Sequence, residues 1–177
     1  MRRTTLPQIR VKARPAQPTQ GVLRCGPLQT RVALGRGGIR ANKFEGDGAT
    51  PRGRFHLLRL WWRPDRGPRP QTLLPIHRIG PTIAWCEDPA QRRYNQAIRI
   101  NDAQAPGDRL WRQDNLYDLI IEIDHNTRPR IRRRGSAVFI HVARPGFSPT
   151  AGCVALAAPA LRRLLRQLGP KTSIVIY

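Results

Sequence analysis

Negative charge is what this chain has least of. Asp and Glu make up only 11 of its 177 residues, against 32 Lys and Arg, for a net charge of +21. Such a field attracts polyanions or small anionic groups and says nothing about fold. A nucleic-acid binder gathers its basic residues on one element and interleaves aromatics with them. Here the Arg residues are scattered from Arg2 to Arg166, and the densest runs, around Arg128 to Arg134 and at Arg162-Arg163, are short. No zinc-finger or RNA-recognition signature accompanies them, so no specific nucleic-acid partner is expected. A solvated, Arg-rich surface accounts for the charge as well as an anionic partner does.

Cysteine is also scarce. Cys25, Cys86 and Cys153 form an odd set without CxxC spacing, which excludes a disulfide framework and a structural zinc site. Free thiols are the simpler reading, a long-range Cys25–Cys86 pair the alternative, and a thiol redox role lacks a resolving partner. His56, His77, His125 and His141 show no HExxH spacing, so neither a metal nor a cofactor is expected. Long apolar runs are missing too: none approaches the ~20 residues that cross a bilayer. Met1-Arg2-Arg3-Thr4-Thr5 resembles the charged start of an export signal, but Leu6-Pro7-Gln8-Ile9-Arg10 interrupts any hydrophobic region. No signal peptide is expected.

A chain of 177 residues suits one domain, which commonly runs roughly 100–200 residues, and a monomer is expected. Residues 1–19, rich in Arg, Pro, Gln and Thr, read as an exposed arm with Ile9-Arg10-Val11 as an edge strand; residues 20–177 read as the domain. Gly21 to Cys25, a Gly26-Pro27 turn, and Leu28 to Leu34 form a hairpin pattern. The Gly/Pro loop from Asn42 to Arg54 feeds a strand from Phe55 to Trp62. Residues 63–115, with many prolines and glycines, read as a long, partly irregular insertion or flap. Leu116 to Ile123 and Ala137 to Ala143 read as strands. Leu161, Leu164, Leu165 and Leu168 recur at helical spacing behind Pro159, with Gly169 as the stop, and Thr172 to Tyr177 closes the sheet. The fold class expected is mainly β with one or two helices, a bent sheet or β-sandwich.

The stretch from Ser136 to Leu156 holds the residues with chemistry in them. The apolar run Ala137-Val138-Phe139-Ile140 delivers His141 at a strand end, and a loop with Pro145, Gly146 and Pro149 leads to Thr150-Ala151-Gly152-Cys153. A thiol attacks as its thiolate, so it needs an imidazole, positive surroundings or a helix start; His141, Arg144 and the following helix are placed to supply them. The amides of Gly152 and Cys153 are candidate oxyanion donors. Cysteine is among the most buried residue types, and on these residues alone an inert buried Cys153 stands beside a nucleophilic one.

Two motifs in order separate the readings. Thr50-Pro51-Arg52-Gly53-Arg54-Phe55 matches a TPxGxF pattern, and GSAVFIH leads to TAGCVAL, a His followed by S/T-x-G-C, ahead of a Pro-led helix. Over about Gly21 to Tyr177 the chain resembles the L,D-transpeptidase (YkuD-type) catalytic domain, in the manner of its compact proteobacterial members. The resemblance implies a mostly β domain with Cys153 as nucleophile, His141 as base, the Val142 main-chain carbonyl orienting the imidazole, and the Gly152 amide at the oxyanion. It implies donor and acceptor stem peptides of peptidoglycan as partners, action in the periplasm or cell envelope, and acylation by carbapenems. The stems carry carboxylates, for which Arg144, Arg40 and Lys43 are candidate contacts; Thr150, Ala151 and Ala155 are expected to shape the pocket. The common form reads S/T-H-G-C with Asn or Arg two places after the cysteine, where this chain has Ala151 and Ala155, and the His-to-Cys loop is short. Family members make 3→3 links between diaminopimelates, and some compact ones make 1→3 links from L-Ala to diaminopimelate. Hydrolysis by the same residues, giving an L,D-carboxypeptidase, is the nearest alternative, and a basic nucleic-acid-binding protein is a more distant one.

Overall fold

Ile9 and Val11 alternate with Arg10 and Lys12, a period of two that gives strand β1 (Gln8–Arg14) one apolar and one charged face. Both apolar side chains are fully buried. The structure, a computed structural model describing residues 5–101 and 107–177, therefore corrects the reading of residues 1–19 as an exposed arm. β1 is an interior strand, antiparallel to β2 (Gln17–Cys25) on one side and parallel to the last strand of the chain on the other. The physical reason is burial: two β-branched side chains yield more against the core than in water. Residues 1–4, with the charged start, lie outside the described residues. Ile9→Ala is expected to cost about 2–5 kcal/mol, read as a lower urea midpoint at unchanged slope; an exposed arm would give no change.

The hairpin expected around Gly26-Pro27 is present: Gly26 takes φ +53°, and Cys25 faces Leu28 as β2 turns into β3 (Leu28–Ala33). The short parallel pair β4 (Ile39–Arg40) and β5 (Thr50–Pro51) brackets the Gly-rich loop, and β6 (Gly53–Trp62) follows. The stretch 63–115 is more ordered than an irregular insertion. Its β7 (Ile76–Arg78) joins β6 in parallel, and β8 (Ile83–Cys86), β9 (Gln96–Arg99) and β10 (Asp108–Arg109) form a separate three-stranded sheet. Residues 102–106 of this stretch lie outside the described ones. β11 (Leu119–Ile123), β12 (Phe139–Val142), β13 (Val154–Leu156), helix α1 (Ala158–Leu165) and β14 (Ser173–Ile176) complete the chain.

Nine strands form the main sheet in the order β11-β12-β13-β3-β2-β1-β14-β6-β7, and β6 also pairs with β11. The expected mainly β, bent sheet is thus bent far enough for eight of its strands to close into a ring. Inside lies the larger core, including Ile9, Val11, Leu23, Leu60, Ile121, Ile140 and Leu156, into which α1 sends Leu161, Leu164 and Leu165. Pro159 occupies the first turn of α1, as its spacing requires. A second, smaller cluster lies on the outer wall, where the three-stranded sheet packs Trp85 edge-on against Phe139 at 4.9 Å, with Trp61, Ile120 and Cys153 beside them. Among the described residues no helix is long and apolar enough to cross a membrane.

Candidate active site

Strand alternation sorts β12 and the residue before it: Val138, Ile140 and Val142 join the inner core, whereas Phe139 and, by the same parity, His141 point to the outer wall. β13 runs parallel to it, with Ile140 opposite Val154 and His141 opposite Ala155. The same parity puts Cys153, two residues before Ala155, on the outer wall below His141. Its Sγ accepts from the Phe139 N–H at 3.4 Å and donates to the Ala137 carbonyl at 3.1 Å. Cys153 is 6% exposed, and its thiol is pushed up to about 12. Burial does most of this, with the carboxylates of Asp108 and Glu87 adding to it and the Phe139 amide and Lys43 opposing. The helix expected to help the thiol does not abut it: β13 intervenes, and three strand residues span roughly 10 Å.

His141 is equally buried. Its Nδ1 lies 2.8 Å from the Val142 carbonyl; a carbonyl only accepts, so Nδ1 carries the hydrogen and the neutral ring keeps its lone pair on Nε2. Burial lowers the imidazole to about 4, overriding the Val142 carbonyl, which favours the charged ring. Tyr117 packs edge-on against the ring at 5.4 Å. The phenol donates to Asp108 at 2.6 Å, and the Arg112 guanidinium lies over its face at 5.1 Å.

The TPxGxF segment acts on this site through the backbone. Thr50 Oγ1 accepts from the Gly35 amide at 2.8 Å, and Gly35 bridges to Thr150. Thr150 Oγ1 then donates to the Cys153 carbonyl at 2.7 Å and accepts from the Gly152 amide at 3.1 Å. The Gly152 amide, expected at the oxyanion, is thereby engaged by Thr150, which leaves the Cys153 amide as the candidate donor. Gly152 takes φ +140°, and a Cβ there would stand 2.8 Å from the Ala49 carbonyl and 3.4 Å from Lys43 Nζ, so only glycine fits between the motif and the thiol.

One cavity of about 880 Å³ gathers Cys153, His141, Thr150, Ala151, Gly152, Ala155, Arg144 and Lys43. Lys43 is buried and held by Asp47 at 2.8 Å. Burial raises that carboxyl, but Lys43 and the amides of Phe44 and Ala49 outweigh it and hold it below its ordinary value. Arg40 is not among the lining residues; its Nε donates to the Gly37 carbonyl at 3.2 Å. The sequence reading missed Arg36, Glu45, Glu87, Asp108, Arg112, Tyr117 and Ser136, all of which line the cavity. Three of these, Glu87, Asp108 and Arg112, come from the 63–115 stretch, and no local pattern marks them. Cys25, Cys86 and Cys153 are free and buried. Among the described residues no three His, Cys, Asp or Glu side chains group as ligands for a metal.

Asn95 ties the three-stranded sheet to the site. Its Oδ1 accepts from Trp85 Nε1 at 3.0 Å and from the Ala137 amide at 3.2 Å, and its Nδ2 donates to the carbonyls of His125 and Asn126. The carbonyl of the same residue, Ala137, accepts the thiol proton of Cys153. Asn95→Ala strands two buried donors, each worth about 1–3 kcal/mol. A loss of about 2–5 kcal/mol is expected by urea denaturation, with slowed thiol-dependent turnover; a change below 0.5 kcal/mol would show that the sheet is held elsewhere.

Comparison with known proteins places these features. The family model described as the L,D-transpeptidase catalytic domain, YkuD, matches residues 19–176. Neither the curated proteins nor the solved structures gave a match.

Proposed function

The chain belongs to the L,D-transpeptidase catalytic-domain family, and on that premise we propose that it cross-links peptidoglycan stem peptides through a thioester on Cys153. The observation that carries the reading is the placement of Cys153 and His141 on one face of two adjacent parallel strands, at one cavity. His141 Nε2 takes the thiol proton as Sγ attacks the carbonyl of an L residue that precedes a D residue. The resting thiol is protonated and the imidazole neutral, so transfer accompanies attack rather than preceding it. The negative charge on the carbonyl oxygen meets the Cys153 amide. The tetrahedral intermediate collapses, the C–N bond breaks, and His141 returns the proton to the leaving amine. An acceptor amine then attacks the thioester and loses its proton to His141; the S–C bond breaks and the thiol is restored.

The walls of the cavity suit two stems. Arg36, Lys43, Arg112 and Arg144 offer donors to carboxylates, and Glu45, Glu87 and Asp108 offer acceptors to an ammonium group. Burial first, and then Asp108 and Glu45, hold the Glu87 carboxyl above its ordinary value. Ala155 is 1% exposed and stands opposite His141. Where the common family motif carries a polar side chain, this chain keeps space beside the base, and Tyr117 approaches the ring instead. With alanine at 151 and 155, the 1→3 link is the product to look for first and the 3→3 link the alternative. Defined muropeptides incubated with the purified protein and sequenced by mass spectrometry test this. Dimers support the transpeptidase, the sequence of the linked residues decides between the bonds, and trimmed monomers alone would establish a carboxypeptidase. The substrate places the enzyme's work in the cell envelope; detection of the native protein in the periplasmic fraction is the matching observation.

A further inference from the structure

All eleven acidic residues lie between Glu45 and Asp124. The strands β1, β2, β3 and β14 are therefore built from segments that contain no carboxylate side chain, and they are neighbours in the closed sheet. Their register lines up the cations on the outer wall. Arg10 faces Arg24 directly across β1 and β2, and on the other side faces Val175, which faces Arg54. Two residues along, Lys12 faces Val22, which faces Arg31. These five cations are exposed. Their side chains turn to neutral groups: Arg10 to Gln8, Arg24 to Gln29, Arg54 to Ser173, Arg31 to the Gly146 carbonyl and the face of Phe147. None takes part in a salt bridge among the described residues.

Like charges directly opposite on neighbouring strands destabilise a sheet, so Arg10 against Arg24 costs stability in the isolated chain. An external anionic surface removes that cost. From β6 to β2 the cations span three strand spacings, roughly 14 Å, and the two rows lie roughly 7 Å apart. Val22 and Val175 sit among them, so the centre of the patch is aliphatic and its surroundings cationic. Two aromatic rings adjoin the patch, exposed Tyr177 just past β14 and Phe147, whose face is already taken by Arg31; among the described residues no series of open rings alternates with these Arg side chains to stack successive bases. An aliphatic-centred cationic wall matches a layer of headgroup phosphates, and long Arg side chains can carry their charge to the phosphates while their stems cover apolar neighbours.

We propose that the β6-β14-β1-β2-β3 wall is a docking surface for an anionic phospholipid bilayer. Its position in the ring gives the docking a direction. β1 is four strands from β12 by either path around the eight-stranded closure, so a bilayer on the β1 side leaves His141 and Cys153 on the far side, turned away from the lipid.

Co-sedimentation with vesicles tests this. The chain is expected to bind vesicles containing a third phosphatidylglycerol and not pure phosphatidylcholine vesicles, and to be released when salt rises from 0.1 to 0.5 M. Each basic residue near such a surface contributes about fivefold. Arg10→Gln, Arg24→Gln and Arg54→Gln together are therefore expected to weaken binding by about a hundredfold, with an unchanged circular dichroism spectrum. The same charge removed as Arg128→Gln, Arg130→Gln and Arg132→Gln should change it by less than about fivefold. Equal losses from the two triple variants would overturn the proposal in favour of diffuse charge. So would binding to duplex DNA that is tighter than to the anionic vesicles and equally sensitive to the first variant. A Cys153→Ala chain is expected to bind vesicles undiminished, so failure here and failure of the catalytic reading remain separable.

Discussion

Cys153→Ala is expected to lower muropeptide dimer formation by at least about 10⁴-fold, the scale on which loss of a nucleophile acts in other covalent acyl-transfer sites. The alanine fits the space, since Cys153 packs in the outer-wall cluster with Phe139, Trp85 and Ile120, so the variant should fold. Its cost in stability should stay within about 1–2 kcal/mol, from the lost sulfur contacts and the hydrogen bonds to Phe139 and Ala137. Intact mass after exposure to a carbapenem gives a second readout. The unsubstituted protein should gain the mass of the drug, and the variant should not. Cross-linking that survives in Cys153→Ala would end the covalent mechanism, and an adduct that persists in the variant would place the reactive thiol at Cys25 or Cys86.

The second large effect belongs to His141. His141→Gln keeps the volume and a donor for the Val142 carbonyl but removes the proton acceptor, and general-base loss typically costs about 10²–10⁴-fold. The pH dependence carries the sharper test. Activity needs the neutral ring, and burial lowers it to about 4, so kcat/KM should hold from neutral pH downwards and fall only as pH approaches 4. An acid limb near 6.5, the ordinary histidine value, would mean that the imidazole is solvated in the free enzyme. Stability follows the same linkage. The folded ring binds a proton less readily than the unfolded one, so the unfolded state takes up the proton first. The contribution of the neutral ring is complete above about pH 6.5 and is lost as pH falls through about 4, to a total of roughly 3 kcal/mol. In His141→Gln that part of the acid destabilisation should disappear.

Much of the site is legible in the sequence. The TPxGxF and T-x-G-C motifs, in order, pointed to the family that the model match over residues 19–176 establishes. The His141 to Val142 contact, named from the resemblance, is a 2.8 Å hydrogen bond. The hairpin at Gly26-Pro27, the helix behind Pro159 and the closing strand were readable because each depends on local chemistry: a left-handed glycine, a preset φ, a period of 3.6 or of 2. The arm was misread for a related reason. Arg, Gln and Pro between residues 8 and 19 dominate composition, yet two buried side chains, Ile9 and Val11, are enough to bring the strand inside.

What the sequence determined by itself was therefore the chemistry and the order of parts: a cysteine, a histidine, and the backbone motif that supports them. Tertiary structure decided what surrounds them. Tyr117 on the imidazole and Asn95 on the Ala137 amide come from 24 and 42 positions away in the chain, and Arg112 reaches Tyr117 from within its own loop. Contacts of that kind depend on how the sheet closes and on which face each strand turns outward, and no short-range pattern encodes them. The cationic wall is the same case: Arg10, Arg24 and Arg54 are scattered in the chain, and only the register of β6, β14, β1 and β2 sets them side by side.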